Sequence, residues 1–307
     1  MRLTTYFDGE NKRPGLIQGD NLVDLQLASR ALLADSALEK RMPSGAPWNM
    51  LALLQAGPEV WEIIHRVWEL AGEAGAAARE HEFARPLSEI RYAPLIEHPG
   101  KIVCIGLNYA DHCREQNFEI PTSLILFAKF PTAITGPGSP ITWPADVSQQ
   151  VDYEAELAVV IGRTARNVSE DKALDYVAGY TITNDVSARD VQFADEQWVR
   201  GKSFDTFCPI GPYLVTRDEI PDPHKLNIRC WVNGELRQDS NTDQMIFKVP
   251  EAIAFISKTC TLLPGDVICT GTPDGVGNFR KPPVFLKAGD LVEIEIEGLG
   301  RLSNPVV

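Results

Sequence analysis

The hydrophobic rhythm of the chain changes twice along its length. From Met1 to Phe7 and from Pro14 to Leu25, short apolar runs are interrupted by Asp8-Gly9 and Gly19-Asp20-Asn21, the pattern of a small strand meander. The spacing then lengthens. Trp48–Gln55 reads as a short helix, and Pro58–Leu70 sets Val60, Ile64, Val67 and Trp68 on one helical face. Ala71–Glu82 shows no packing face and reads as weak structure or an extension of that helix. Arg85-Pro86 and Tyr92-Ala93-Pro94 punctuate the crossing to a second part that begins near Pro99-Gly100. There the pattern is mostly that of strands: Ile102–Ile105, Leu124–Phe130, Val151–Ile161, Tyr180–Thr183, Tyr213–Val215, Leu226–Val232, Val267–Thr270 and Leu291–Ile296. Asn233-Gly234 predicts a hairpin. Helices are few, with Glu170–Val177, Pro250–Cys260 and a turn after Gly106 the candidates. The predicted architecture is α+β and predominantly β: a small α+β domain over residues 1–97, then a mixed β-roll or sandwich over residues 98–307.

Val151–Ile161 has the composition of a buried strand, which normally excludes charge, yet it carries Glu154 and Glu156. Side chains two apart on a strand share a face, so the two carboxylates lie side by side with Tyr153, Ala155 and Leu157 opposite. A lone buried polar group costs roughly 2–7 kcal/mol and a charge costs more, so something positive must sit between them. Tyr180–Thr183 runs into Asn184-Asp185 and brings a third carboxylate to a strand end. Glu154, Glu156 and Asp185, with no cysteine or histidine among them, describe an oxygen-rich site for Mg²⁺ or Mn²⁺. The competing reading is a solvated edge strand with Asp185 capping a turn; the apolar run after Glu156 weighs against it.

Composition bounds the rest. The 307 residues suit a small domain plus a larger one, and 44% apolar with 23% charged residues is a soluble globular balance. A net charge of −13 excludes a nucleic-acid surface, and an anionic substrate must find local positive charge from a metal, lysine or arginine. The six cysteines lack CxxC spacing and read as reduced core residues. MRLTTYFDGE has no leader-like pattern, and no apolar run approaches the roughly eighteen residues of a membrane span. The expectation is a soluble cytoplasmic protein with no membrane partner, or a mitochondrial matrix protein if a presequence has been removed.

Three further stretches carry possible chemistry. In GLNYADHCRE, His112 and Glu115 are three apart and share a helical face, the arrangement by which a carboxylate orients an imidazole as general base. In GKSFD, Lys202 reads as a cleft lysine able to stabilise an oxyanion, or as a surface lysine. TGTPDGVG, residues 270–277, is a glycine-rich loop whose N–H groups can cradle a carboxylate; it is not a nucleotide-binding P-loop. His65, His81 and His98 are isolated.

These words in this order, with LFAKFPTAITGPGSPI, VDYEAELAVVIG, GYTITNDVSARD, VNGELRQ and LLPGDVICTGTPDGVG, resemble the fumarylacetoacetate hydrolase superfamily from about residue 98 to the end. KPPVFLKAGD and GKSFDTFCPIGP look most like the branch called fumarylacetoacetate hydrolase domain-containing protein 2 and its bacterial relatives. The resemblance implies Glu154, Glu156 and Asp185 as ligands of Mg²⁺ or Mn²⁺, and His112, Glu115 and Lys202 as catalytic residues. It implies Arg189, Gln192 and Thr272 as substrate contacts, and a homodimer as the assembly. The member that names the family has a fourth metal carboxylate where this chain has Ile105, which favours smaller substrates than fumarylacetoacetate. The implied activity is on small 2-oxo acids through a metal-bound enolate, first by C–C hydrolysis of the acylpyruvate or fumarylpyruvate type. The alternatives are an oxaloacetate-type enol–keto tautomerase or decarboxylase, a 2-hydroxyhepta-2,4-diene-1,7-dioate isomerase, and a binding protein that has lost activity.

Overall fold

The computed structural model describes residues 1–34, 48–74 and 82–307. His81 and residues 75–80 of the Ala71–Glu82 stretch therefore lie outside the described residues. The first strands follow the apolar alternation: β1 (Arg2–Asp8), β2 (Asn11–Gln18) and β3 (Asn21–Asp24) form an antiparallel meander. Asp24 then caps α1 (Leu25–Leu32) by accepting from Leu27 N at 2.7 Å, which starts a helix the sequence pattern did not single out. The expected helices are α2 (Met50–Gln55) and α3 (Pro58–Ala74), and β4 (Ala84–Pro86) follows.

Beyond residue 97 come β5 (Ile102–Gly106), α4 (Ala110–Gln116), β6 (Ile125–Lys129), β7 (Ile134–Thr135), β8 (Val151–Asp152), β9 (Ala155–Ile161) and β10 (Val177–Asn184). Then β11 (Ser187–Ala188) leads into α5 (Arg189–Ala194), α6 (Val199–Lys202), β12 (Cys208–Thr216), β13 (Asn227–Val232) and β14 (Glu235–Asn241). The chain closes with α7 (Val249–Thr259), β15 (Val267–Cys269), β16 (Leu291–Ile296) and β17 (Gly300–Pro305). Glu170–Val177 departs from expectation: Glu170–Tyr176 winds as a 3₁₀ helix. The β13–β14 hairpin turns at Asn233 and Gly234, both at positive φ, as the dipeptide predicts.

Among the described residues, one large sheet runs β4-β3-β2-β1-β12-β10-β9-β15-β5-β6, with β7 paired in parallel to β12. The strands on either side of residue 97 thus share a sheet through the β1–β12 pairing. A four-stranded sheet, β14-β13-β16-β17, packs across one face of the large one, and β8 pairs with β11 beside it. This is the mixed, mainly β architecture the pattern implies.

β9 is central. It pairs with β10 on one side and β15 on the other, and all seven of its residues are buried. Leu157, Val159 and Ile161 face a core with Ile228, Ile253 and Ile294. Ala158 and Val160 face a second core with Leu54, Ile64 and Val67 of α2 and α3. Both faces being covered explains why this strand reads as continuously apolar.

Candidate active site

The expected strand Val151–Ile161 is broken. β8 ends at Asp152 and β9 starts at Ala155, so Glu154 sits in the gap. Its backbone groups are satisfied across the break: Glu154 N donates to Asn184 Oδ1 at 3.0 Å, and Glu154 O accepts from Asp185 N at 2.9 Å. Ala155 N donates to Gln238 Oε1 at 2.9 Å. Glu156 pairs opposite Thr183 within the sheet, and Asp185 lies one residue past the end of β10. Glu154, Glu156 and Asp185 are 5%, 1% and 0% exposed. Each offers an oxygen within 4.8 Å of the others.

Three buried cations surround the cluster. Lys202 Nζ donates to Glu154 Oε2 and Asp185 Oδ2, both at 2.8 Å, over the Phe127 ring. Lys129 Nζ donates to Asp185 and to Val186 O. Arg189 Nη2 meets Glu154 Oε1 at 2.7 Å and Asp152 Oδ2 at 2.8 Å. Among the described residues, Glu156 is the member of the cluster that makes no ion pair; its carboxylate accepts from Gly271 N at 2.9 Å. Burial opposes ionisation of both glutamates. At Glu154, Lys202 and Arg189 overcome it and hold the carboxyl well below its usual range. At Glu156, repulsion from Asp185 and Glu154 adds to burial and raises the carboxyl far above that range.

With Glu156 ionised, Asp152, Glu154, Glu156 and Asp185 outnumber Lys129, Lys202 and Arg189 by one charge among the described residues, which is why that carboxyl holds its proton when nothing else is bound. A buried, all-oxygen cluster with one uncompensated carboxylate fits a hard divalent cation. A divalent ion that displaced the Glu156 proton would leave the local balance one positive, which suits an anionic substrate.

His112, on α4, places Nδ1 3.3 Å from Glu115 Oε2, and its ring packs edge-on to Phe279. Its Nε2 meets the side-chain amide of Gln116. The glycine-rich loop after β15 ties both halves together: Gly271 N donates to Glu156, Gly275 N to Glu115 at 3.0 Å, and Gly277 N to Asp152 at 2.7 Å. The loop therefore cradles the protein's own carboxylates. Gly275 is required there, since its φ is +92° and a Cβ would lie 2.2 Å from Arg237 O. A cleft of about 80 Å³ joins these groups, walled by His112, Glu154, Glu156, Arg189, Lys202 and Thr272 and closed by Phe127, Trp198 and Phe279.

The family model described as fumarylacetoacetate (FAA) hydrolase C-terminal matches residues 101–307. The chain belongs to the fumarylacetoacetate hydrolase family. It is 47% identical to the mitochondrial oxaloacetate tautomerase fahd2 of Xenopus laevis, over 100% of this chain and 90% of that protein. It is 55% identical to the mitochondrial oxaloacetate tautomerase FAHD2B of Bos taurus, over 85% of this chain and 80% of that protein. Among solved structures, a maleylpyruvate hydrolase from Sphingobium sp. SYK-6, in complex with manganese(II) ion and pyruvate, superposes with a TM-score of 0.73. It is 32% identical over 100% of this chain and 99% of that one. The branch expected from GKSFDTFCPIGP and KPPVFLKAGD is thus the one found. Among the described residues, no helix is long and apolar enough to cross a membrane.

Of the nine site residues expected from the family's motifs, seven line this cleft; Asp185 lies behind Lys202 and Glu115 behind His112, and all have partners the motifs do not disclose. Arg189 spends its Nε and Nη2 on Asp152 and Glu154, and its Nη1 donates to Gln192 Oε1 at 3.1 Å. Lys202 is clamped between two carboxylates; burial works against its charge, but Asp185 and Glu154 raise its pKa. Thr272 Oγ1 accepts from Gln238 Nε2 at 2.9 Å, which leaves its own O–H to donate. Sequence reasoning missed Asp152, Lys129, Gln116 and Gln238. Signals existed for three: Asp152 stands two residues before Glu154, Lys129 is a charge in an apolar strand, and Gln116 is one helical turn from His112. Nothing near Gln238 points to the site.

Proposed function

We propose that this chain interconverts the keto and enol forms of a small 2-oxo dicarboxylic acid of the oxaloacetate type, with Mg²⁺ or Mn²⁺ held by Glu154, Glu156 and Asp185. The observation that carries the reading is the uncompensated carboxylate of Glu156, buried in the same cleft as the His112–Glu115 dyad. The names of the relatives at 47% and 55% identity move the tautomerase alternative ahead of C–C hydrolysis. When bound, the divalent ion supplies a Lewis acid that stabilises negative charge developing on the 2-oxo oxygen.

The remaining work falls to side chains. Glu115, itself held by Gly275 N, fixes Nδ1 of His112 and supports the imidazolium. Nε2 of His112 removes the proton at C3; the C3–H electron pair becomes the C2=C3 bond, and the C2=O π pair becomes a lone pair on oxygen. Return of the proton to that oxygen completes the enol, and the reverse sequence forms the ketone. Thr272 O–H donates to a substrate carboxylate, and Arg189 with Gln192 sets the positive wall beside it. Lys202 acts by keeping Glu154 ionised and by holding Glu154 and Asp185 in place.

Hydrolysis of a 2,4-diketo acid is the second reading, favoured by the likeness to the maleylpyruvate hydrolase. Oxaloacetate enol decay followed by ultraviolet absorbance, beside acetylpyruvate and fumarylpyruvate cleavage, with and without Mn²⁺, decides between them. Metal-dependent enol decay is expected to dominate; cleavage without tautomerase activity would reverse the order.

A further inference from the structure

Gln116 follows the dyad directly and stands four residues after His112, on the same face of α4. Its side-chain nitrogen lies 2.5 Å from His112 Nε2, while Nδ1 of the ring faces Glu115. A carboxylate only accepts, so Nδ1 carries the ring proton. Nε2 then holds the lone pair, and it accepts from the Gln116 amide N–H. Both side chains line the cleft.

The two reactions of the family ask different things of that nitrogen. Tautomerisation asks Nε2 to take one proton from C3 and give it back, and no other molecule enters. Hydrolysis of a 2,4-diketo acid asks for a water between Nε2 and C4. The water oxygen bonds to C4, the C3–C4 bond breaks, and the proton released from water passes through His112 to C3. The cleft is about 80 Å³, small beside the roughly 300–1,000 Å³ of ordinary ligand pockets. Little of that volume is spare beside a four-carbon acid, and the space next to Nε2 is where a nucleophilic water would have to stand.

We infer that Gln116 is a specificity-determining residue: its amide takes the position of the nucleophilic water at His112 Nε2 and restricts the site to proton transfer. Gln116 ends α4, and Asn117 turns the chain at φ +54°. For this role the amide must yield Nε2 to C3 when substrate binds while the side chain stays beside the ring. Glu115 sets the tautomer, and the Gln116 contact occupies the Nε2 lone pair it leaves free. Gln116 is a positioning residue, acting on substrate through His112 and through the water it excludes. This inference rests on the tautomerase reading.

The test compares wild type, Gln116→Ala and Gln116→Met with Mn²⁺ on oxaloacetate enol and on acetylpyruvate. Removing the amide should lower tautomerase kcat about tenfold and raise acetylpyruvate cleavage about tenfold, with KM for oxaloacetate held within roughly twofold. Gln116→Met keeps the volume without the N–H donor, so its cleavage rate should stay at the wild-type level. Nitrogen NMR of the metal-free protein should show His112 protonated at Nδ1 in all three, because Glu115 is unchanged, with the Nε2 resonance moved in both variants by loss of the amide donor. The inference is overturned if both activities of Gln116→Ala fall in parallel or neither changes, if Gln116→Met gains cleavage as Gln116→Ala does, or if the Nε2 resonance is the same in all three. Absence of tautomerase activity in wild type would instead refute the proposed function, and the cleavage ratios would still judge Gln116.

Discussion

The two ends of the cleft are built differently. At the carboxylate end, Glu154, Glu156 and Asp185 hang on backbone that β9 and β10 hold in register, and Lys129, Lys202 and Arg189 fill the gaps between them. At the other end, His112 rides on a seven-residue helix and is aimed by Glu115, Gln116 and a loop N–H. Glu115 is 20% exposed, whereas the three clustered carboxylates are nearly sealed. The contrast fits the chemistry proposed for each end. A cation needs ligands that do not rearrange, and a proton carrier needs a ring that stays aimed while its neighbour moves.

Substitutions can break each end separately. The largest effect is expected from Glu156→Gln, which removes the carboxyl that no cation compensates and that a metal ion would ionise. Calorimetric titration with Mn²⁺ should show no binding and tautomerase activity should fall below detection; a variant that still turns over with metal would contradict the carboxylate assignment. His112→Ala comes next. Its kcat should drop about 10²–10⁴-fold while Mn²⁺ affinity changes by less than about twofold. Loss of metal affinity there would show that the two ends are one unit.

Gly275→Ala should have an intermediate effect. A Cβ at φ +92°, 2.2 Å from Arg237 O, strains the loop that holds Glu115. Unfolding by denaturant should report a loss of about 1–3 kcal/mol, and kcat should fall more than Mn²⁺ affinity does. Equal loss of both would mean that the loop serves the carboxylate end as much as the dyad.

The smallest effect is a pH dependence of metal-free stability. The Glu156 carboxyl is raised above its ordinary 4.5, so the folded state holds a proton the unfolded chain has released. Its contribution is complete below pH 4.5 and is lost as pH rises through the raised value. Glu154 has the opposite sign: its carboxyl is lowered, so its contribution is present above 4.5 and fades as pH falls through the lowered value. Thermal melts of the metal-free protein should therefore weaken with rising pH above 4.5, and added Mn²⁺ should remove that loss. A melt curve flat in pH without metal would mean that Glu156 is compensated by some other route.

Local pattern carried a good part of this far. Alternation within Val151–Ile161 placed Glu154 and Glu156 on one face, and the end of the next strand supplied Asp185, because strand geometry repeats every two residues and needs no distant information. His112 and Glu115 were legible for the same reason, through helical spacing. The break at Tyr153–Glu154 was not. It exists because Asn184 and Gln238 take the backbone groups that a continuous strand would have paired, and Gln238 is remote in sequence from both partners. Lys202 illustrates a role that changed. Its sequence neighbours suggest a cleft lysine facing substrate, and its tertiary neighbours make it a clamp on two carboxylates.

By itself, then, the order of residues determined which groups share a face: the acidic pair Glu154 and Glu156 at the start of β9, the dyad on α4, the glycines of the loop after β15. Which faces meet was decided by the tertiary structure. The pairings β9–β10 and β9–β15 bring Glu156, Asp185 and Gly271 together, and the packing of α4 against that loop sets His112 over the same space. The reason is physical. Periodicity is a property of neighbouring dihedral angles, whereas the charge balance of a buried cluster depends on which distant cations fold in beside it, and no local spacing encodes that sum.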